Sequence, residues 1–558
     1  MPIEYPEREN FCRTLERSEN DAFDLVTVAA DALLADKAGK RSPAGLEGLK
    51  ACLDQCVRVL RKGGVLFVQG RPGHLPELGI YLDQRLNFKY WIAIESIPQP
   101  GRHGLPSVHA AVLLFAKGNG RFNVKRTRFP HRYCAACGRT LKDWGGKTHL
   151  MHPEGYVISD VWKDLPQLDN YTQISRPVLD TILRMLDFEN EISGIVGPRE
   201  GIGGTIVPSE QLPEPSPRHE SPAFSRPQDT AGSSNLEESM VDVVHRGDAV
   251  DILRRYPDNS IDLVFADPPY NLDKAYHAYD DERAEKEYVK WCNAWLREYA
   301  RVLKPSGSLY VLNLPRWTMY HAAFLNRHLY FQNWIVWDAM SEPRGKLMPA
   351  HYGLLFYTKH PSNFTFNYNR VGNLDARDYC LRRSCVRWRK AKGDDEKTPL
   401  TDIWWDIHRI KHRRDRDYHP CQLPEALMER IIRLSTNRGD VVLDALCGTG
   451  TTPVVATKLG RRYVAIDVDK AYVQITQAKI AEVKRRGYIE RESIHRPPAR
   501  YSKKELQLVL RDLAAELGRL PTPQDVQRMT DYDLEVFFDT FPTWSKALQA
   551  ARVGIGAF

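Results

Sequence analysis

The residues best suited to chemistry are Asp267-Pro-Pro-Tyr270. Asp267 and the Pro268 carbonyl can each accept one N–H bond, and the Tyr270 ring offers a flat face for stacking. That combination suits an exocyclic amino group on a planar base. In isolation the same tetrapeptide is equally a strand-ending turn, because consecutive prolines (Pro268, Pro269) fix φ and remove two backbone donors. A second group lies downstream in Asp444-Ala-Leu-Cys-Gly-Thr-Gly-Thr-Thr452. Glycines at 448 and 450 let the backbone approach a ligand, and Asp467 stands about where a ribose-binding carboxylate belongs. There is no Gly-x-Gly-x-x-Gly and no Lys-Ser/Thr of a phosphate loop, so phosphate cradling is not favoured.

These residues need elements that present them together. Ile261–Ala266 is mostly apolar and predicts a buried strand ending at Asp267. Val441-Val-Leu predicts another, followed by a Gly-rich turn, a helix from Pro453, and a third strand, Arg462–Asp467. A helix from Asp281 to Val302 leads into strand Ser308–Leu312, with further strands at Trp334–Trp337 and Gly353–Tyr357. Strands alternating with helices predict an open, largely parallel sheet, whose strand ends form a ligand crevice.

With His419-Pro-Cys-Gln422 just ahead of the glycines, residues 240 to about 485 resemble the permuted (β-class) S-adenosylmethionine-dependent amino-methyltransferases of DNA. In that family the Asp-Pro-Pro-Tyr block precedes the Gly-rich block, as here. The resemblance implies a catalytic motif at Asp267, Pro268, Pro269 and Tyr270. It implies a cofactor set of Asp248, His419, Gln422, Asp444, Leu446, Gly448, Gly450, Thr451 and Asp467. Three positions depart from the family pattern: Ala445 for proline, Leu446 for an aromatic and Leu423 for lysine. The implied activity is methyl transfer to a base nitrogen of double-stranded DNA, and Asp in first place favours adenine N6. Cytosine N4 is the alternative, and a catalytically silent DNA-binding scaffold a more distant one. Cys447 has no catalytic part in this chemistry. A cognate restriction or defence protein is a partner that the resemblance allows.

The implied fold class is α/β, with two Rossmann-like methyltransferase domains, the first degenerate, and a small helical C-terminal module. Residues 1–205 repeat the second half in outline. Phe23-Asp-Leu-Val26 lines up with Ile261-Asp-Leu-Val264, Leu86–Ile92 with Leu329–Ile335, and Ser159–Leu165 with Thr401–Ile407. Ala29 stands at the position of Asp267, and Gly197 is aligned with Asp444. A tandem duplication with an inert first copy follows, giving a monomer with an internal pseudo-dimer. Within that copy Cys134-Ala-Ala-Cys137, with His149 and His152, suggests a structural zinc site, against reduced cysteines in a loop. Cys380 and Cys385, at the equivalent place in the second copy, are spaced differently.

Residues 206–239 are rich in Pro, Ser and Glu and predict a disordered linker. Between about 360 and 418 basic residues cluster, among them Arg382, Arg383, Arg387, Arg389, Lys390, Arg413 and Arg414, with Trp388, Trp404 and Trp405 interleaved. Such a patch neutralises phosphates and reads bases, so a target-recognition segment is expected in preference to a merely solvated face. Residues 500–558 predict a small helical module opened by a capping box, Ser502 with Glu505. It resembles the homing-endonuclease-associated repeat, which implies DNA binding; a helical cap on the last strand is the alternative.

The totals agree with this organisation. The 558 residues suit several domains, and 42% hydrophobic content supports ordinary cores. No apolar run is long enough to span a membrane and the N-terminus lacks a signal-peptide layout, so a cytoplasmic location is expected. The 10 scattered cysteines do not form a disulfide framework, and a net charge of +8 is mild for this length.

Overall fold

The computed structural model describes residues 3–34, 43–99, 104–118, 124–141, 149, 151–187, 192–198, 234–271, 283–339, 347, 349–371, 374–380, 382–393, 397–410, 422–487, 503–530, 532, 534–541, 543–551 and 553. They divide into two compact units, residues 1–489 and 490–558.

The larger unit contains two large sheets. One has eight strands in the order Val243–Arg246, Arg462–Asp467, Val441–Asp444, Ile261–Ala266, Leu303–Asn313, His351–Thr358, Tyr330–Asp338, Ile403–Trp404. Its first five strands run parallel, and His351–Thr358 is antiparallel to both neighbours. Strand Ile261–Ala266 is central and buried along most of its length, which explains its near-continuous apolar run. Helix Glu285–Val302 packs on the adjacent strand Leu303–Asn313, and its Tyr288, Cys292, Trp295, Leu296 and Tyr299, buried at helical spacing, share one core with Ile261, Val264 and Ala266.

The other sheet has seven strands in the order Ile3–Glu4, Gly194–Gly197, Phe23–Ala29, Leu60–Gly70, Ser107–Ala116, Asn87–Gln99, Val161–Trp162. From Gly194–Gly197 onward its order and strand directions match those of the first sheet from Val441–Asp444 onward. The register amends one sequence alignment. Thr27 pairs with Val196 as Phe265 pairs with Asp444, so Val196, not Gly197, occupies the Asp444 position.

The two halves do not separate into compact units of their own at the expected boundaries, because they share one hydrophobic core. Trp91 and Trp334, equivalent in the two sheets, stack with centroids 3.7 Å apart and planes 5° from parallel. Helix Leu75–Asp83 packs on helix Pro315–Leu325. Gly79 permits that approach, since a Cβ there would lie 2.3 Å from Met319 Sδ. Two reciprocal polar contacts also join the halves. His109 Nδ1 lies 3.1 Å from Asp402, and His351 Nδ1 lies 3.0 Å from Asp160. Asp402 also accepts from Val108 N (2.8 Å) and Asp160 from Ala350 N (2.7 Å), all deeply buried.

Most of the expected linker, 206–233, lies outside the described residues. Residues 234–239 are docked rather than free. Ser234 N donates to Asn259 O at 2.9 Å, and Glu238 takes Arg462 in two bonds of 3.1 and 2.7 Å.

The smaller unit consists of helices Lys503–Leu517, Pro523–Met529, Leu534–Thr540 and Trp544–Ala550 around Leu506, Leu510, Leu513, Val526, Phe537 and Phe541. Its described capping box is Thr522 with Asp525, which also holds Arg519 at 2.7 and 2.9 Å. The expected box at Ser502 lies outside the described residues.

Candidate active site

Three neighbouring parallel strands each end at an acid at their carboxyl ends: Arg462–Asp467, Val441–Asp444, and Ile261–Ala266 followed by Asp267. These acids line one cleft of about 220 Å³. Of the residues expected from sequence, Asp248, Asp267, Pro268, Pro269, Gln422, Asp444, Leu446, Gly448, Thr451 and Asp467 face it, while Tyr270 and Gly450 do not. His419 lies outside the described residues.

The turn carrying Asp267 is pinned from behind. Tyr288 Oη donates to Pro269 O at 2.6 Å, and Trp317 Nε1 donates to Tyr270 O at 3.0 Å. Asn313 Nδ2 donates to Tyr288 Oη at 3.0 Å. His321 lies beside Asn313, and burial pushes its pKa down to about 3, leaving a neutral ring. Tyr270 departs from the expected open stacking face. Only 3% exposed, its ring packs near Tyr352 and its hydroxyl donates to Asp267 Oδ1 at 2.7 Å.

The Gly-rich turn is shaped by the acids and by helix Lys470–Arg486. Asp444 accepts from Thr452 Oγ1 (2.5 Å) and Leu446 N (3.1 Å), and burial pushes its pKa up to about 7. Asp467 accepts from Gly448 N and Asp469 N, both at 2.8 Å. Burial raises it to about 6 in spite of those amide donors. Gly450 (φ +77°) is required by the helix rather than by a ligand, since a Cβ would lie 2.5 Å from Thr476. Asp248 accepts from Val250 N at 2.8 Å and caps helix Ala249–Leu253. Burial holds the Cys447 thiol well above its ordinary pKa, so it offers no thiolate nucleophile.

Several lining residues escaped sequence reasoning. Trp291 and Trp295, four apart on helix Glu285–Val302, read as ordinary core positions. Val468, directly after Asp467, is 50% exposed and gives the cleft an apolar face; an aliphatic residue following a strand-terminal acid was the available signal. Arg283 and Tyr472 complete the rim. The acceptor Asp467 beside an apolar face suits a nucleoside, whose ribose hydroxyls donate and whose base needs a flat partner.

One family match spans the three acids of the cleft, Asp267, Asp444 and Asp467. The DNA methylase family matches over residues 261–478. The chain is 36% identical over 237 residues to the type II methyltransferase M.HpaI of Haemophilus parainfluenzae, covering 42% of this chain and 72% of that protein. The chain belongs to the DNA methylase family. It is also 38% identical over 229 residues to the type II methyltransferase M.BamHI of Bacillus amyloliquefaciens, covering 40% of this chain but only 54% of that relative. It is 32% identical over 242 residues to the DNA adenine methyltransferase YhdJ of Escherichia coli (strain K12), covering 42% of this chain and 80% of the relative. Residues 501–552 match the homing endonuclease associated repeat. Among the described residues no helix is long and apolar enough to cross a membrane.

The basic segment expected from sequence is only partly exposed. On helix Arg383–Lys392, Arg387 and Lys390 are exposed. Arg389 is fully buried with its guanidinium 4.5 Å from the Tyr379 ring, so it does not meet phosphate. The reason is helical phase: Arg389 is four residues after the buried Cys385 and shares its inner face. Arg382 donates to Thr140 O at 2.7 Å. The Arg383 side chain, Arg413 and Arg414 lie outside the described residues. Trp388 is 44% exposed, with Lys392 4.2 Å above it, whereas Trp404 is core.

The expected set of Cys134, Cys137, His149 and His152 is also corrected. The thiols of Cys134 and Cys137 meet those of Cys380 and Cys385, and the histidines are not in the group. His149 is exposed, and His152 accepts through its carbonyl from the His131 ring at 2.9 Å.

Proposed function

We propose that this methylase transfers a methyl group from S-adenosylmethionine to adenine N6 at a specific site in double-stranded DNA, working in the cytoplasm. The observation that carries the proposal is the sharing of one cleft by Asp267, Asp444 and Asp467 at adjacent strand ends. When bound, the cofactor supplies an electrophilic methyl group. Asp467 and the apolar side of Val468 would hold its nucleoside, with Asp248, Gln422, Asp444, Leu446, Gly448 and Thr451 around it. The remaining work falls to the turn at Asp267.

An adenine amino nitrogen is a poor nucleophile because its lone pair is delocalised into the ring. Asp267 and Pro268 O would accept its two N–H bonds, favouring a pyramidal nitrogen with the lone pair turned to the methyl group. As the N–C bond forms, the methyl–sulfur bond would break and leave S-adenosylhomocysteine, and one amino proton would pass to Asp267 and from there to solvent. The target base must leave the helix to enter the cleft. For the Tyr270 ring to stack on that base, its hydroxyl must release Asp267, which frees an acceptor at the moment a base arrives. Aspartate in first place of the turn, together with a relative named an adenine methyltransferase, favours adenine over cytosine. Arg387 and Lys390 would neutralise phosphates, and the C-terminal repeat would add DNA contact.

The first half reads as a degenerate copy serving as a built-in partner. The shared strand order supports this, with Ala29 and Val196 in place of the two acids. A fragment lacking it would expose Trp334 and leave His351 and Asp402 without their partners. A fully active, soluble monomer of residues 240–558 would contradict that role. The target base is tested by mass spectrometry of nucleosides from a methylation-free host expressing the protein. N6-methyladenine is expected; N4-methylcytosine alone would overturn the adenine assignment.

A further inference from the structure

The thiols of Cys134, Cys137, Cys380 and Cys385 all lie within 4.8 Å of one another. Cys134 Sγ is 3.7 Å from Cys385 Sγ, and Cys137 Sγ is 3.7 Å from Cys380 Sγ. A tetrahedron of sulfurs at the ordinary Zn–S length of about 2.3 Å has edges of about 3.8 Å. The geometry points to a structural zinc ion held by these four thiolates, two from each half of the chain.

The backbone is arranged as such a site requires. Cys134–Gly138 is a tight turn in which Cys134 N donates to Arg139 O at 2.7 Å and Gly138 N to Cys134 O at 2.9 Å. Gly138 has φ +65°, a conformation that favours glycine. Cys380 N donates to Cys134 Sγ at 3.3 Å, so a main-chain dipole from the second half faces a sulfur of the first. Cys385 enters from the first turn of helix Arg383–Lys392. Ala135 N to Asp378 O (2.9 Å) and Arg132 to Asp378 (2.7 Å) bring the two segments together.

Packing gives an independent reason. Among the described residues, the buried cluster at this junction consists of Cys134, Cys380 and Cys385, with only Ala136, Leu141 and Tyr379 partly buried against it. A patch with so few aliphatic side chains has little hydrophobic stabilisation of its own, which is the situation in which small lobes rely on a metal staple. Four neutral thiols would contribute little there, whereas four thiolates around one divalent cation cross-link segments roughly 250 residues apart. The ion would also hold the outward face of the helix bearing Arg387 and Lys390. The zinc site does not depend on the methyl-transfer reading, since it uses none of the cleft residues.

The test is elemental analysis of the full chain purified under reducing conditions from zinc-sufficient medium, followed by cobalt(II) exchange. Stoichiometric zinc and the intense visible absorption of a tetrahedral cobalt–thiolate centre are expected. Cys380→Ser and Cys385→Ser should each lose most of the metal, while a His149→Ala/His152→Ala double variant retains it. Zinc below a tenth of stoichiometry in the wild-type chain would overturn the site, and so would disulfides among these cysteines or iron in place of zinc. Loss of zinc in the histidine variant would overturn the ligand set. The wild-type measurements require no variant to fold.

Discussion

Acidification should weaken cofactor binding by an amount set largely by Asp467. Burial raises its carboxyl to about 6, so it is mostly ionised at pH 7.5 and only about one-tenth ionised at pH 5. Ribose hydroxyls are donors, and they favour the charged acceptor over the protonated one. Binding at pH 5 must therefore expel a proton that is already gone at pH 7.5. The cost is about tenfold in Kd, or about 1.4 kcal/mol. Asp444, pushed up to about 7 by burial, lies in the same cleft. The stability of the cofactor-free protein has the opposite sign. Both folded-state pKa values lie above ordinary carboxylate values, so the stability these groups contribute is present near pH 4 and is lost as pH rises through 6 to 7. Isothermal titration with S-adenosylmethionine from pH 5 to 8, in buffers of different ionisation enthalpy, measures both Kd and proton release. Asp467→Asn should bind weakly, with a much flatter pH profile. A flat wild-type Kd across this range, or an Asp467→Asn variant that binds like wild type, would refute the reasoning.

Asp160→Ala should lower stability by about 3 kcal/mol in denaturant unfolding, because it strands the buried Ala350 N–H and His351; an unchanged midpoint would contradict this. Tyr270→Ala should reduce kcat/KM for DNA by an amount worth about 1–3 kcal/mol while cofactor Kd holds, as steady-state kinetics beside titration would show. Arg387→Ala with Lys390→Ala should weaken DNA binding and reduce the slope of log K against log salt by about two. Arg389→Ala should instead destabilise the fold, as a thermal melt would show, because its guanidinium is buried over Tyr379.

What could be read from sequence was what the local pattern encodes. An apolar run ending at an acid specifies a buried strand with a carboxylate at its tip, and this occurs at Asp267, Asp444 and Asp467. Strand order brings those tips together, and the Gly-rich turn after Asp444 marks the same end of the sheet. The interior placement of Arg389 was hidden in a basic cluster, although its helical phase with Cys385 was available. Gly450 is needed for contact with Thr476, a tertiary reason that no turn motif encodes. The four-cysteine group was missed because Cys134 and Cys137 were matched to the nearby histidines, while Cys380 and Cys385, spaced differently, lie in a distant segment that only folding brings to them. The inward-turned Tyr270 depends on Asp267 and Tyr352, side chains whose meeting only the folded chain shows. The merging of the two halves into one unit comes from contacts between remote positions, Trp91 on Trp334 among them.

The most direct test of the proposed chemistry replaces only the acceptor. Purified wild-type protein and Asp267→Ala would be given tritiated S-adenosylmethionine and unmethylated duplex DNA, with cofactor Kd measured on the same samples. The expected result is label in adenine for the wild type and none for the variant, with Kd alike in both. Methyl transfer by Asp267→Ala at a rate near wild type would contradict the assignment of Asp267 as the acceptor.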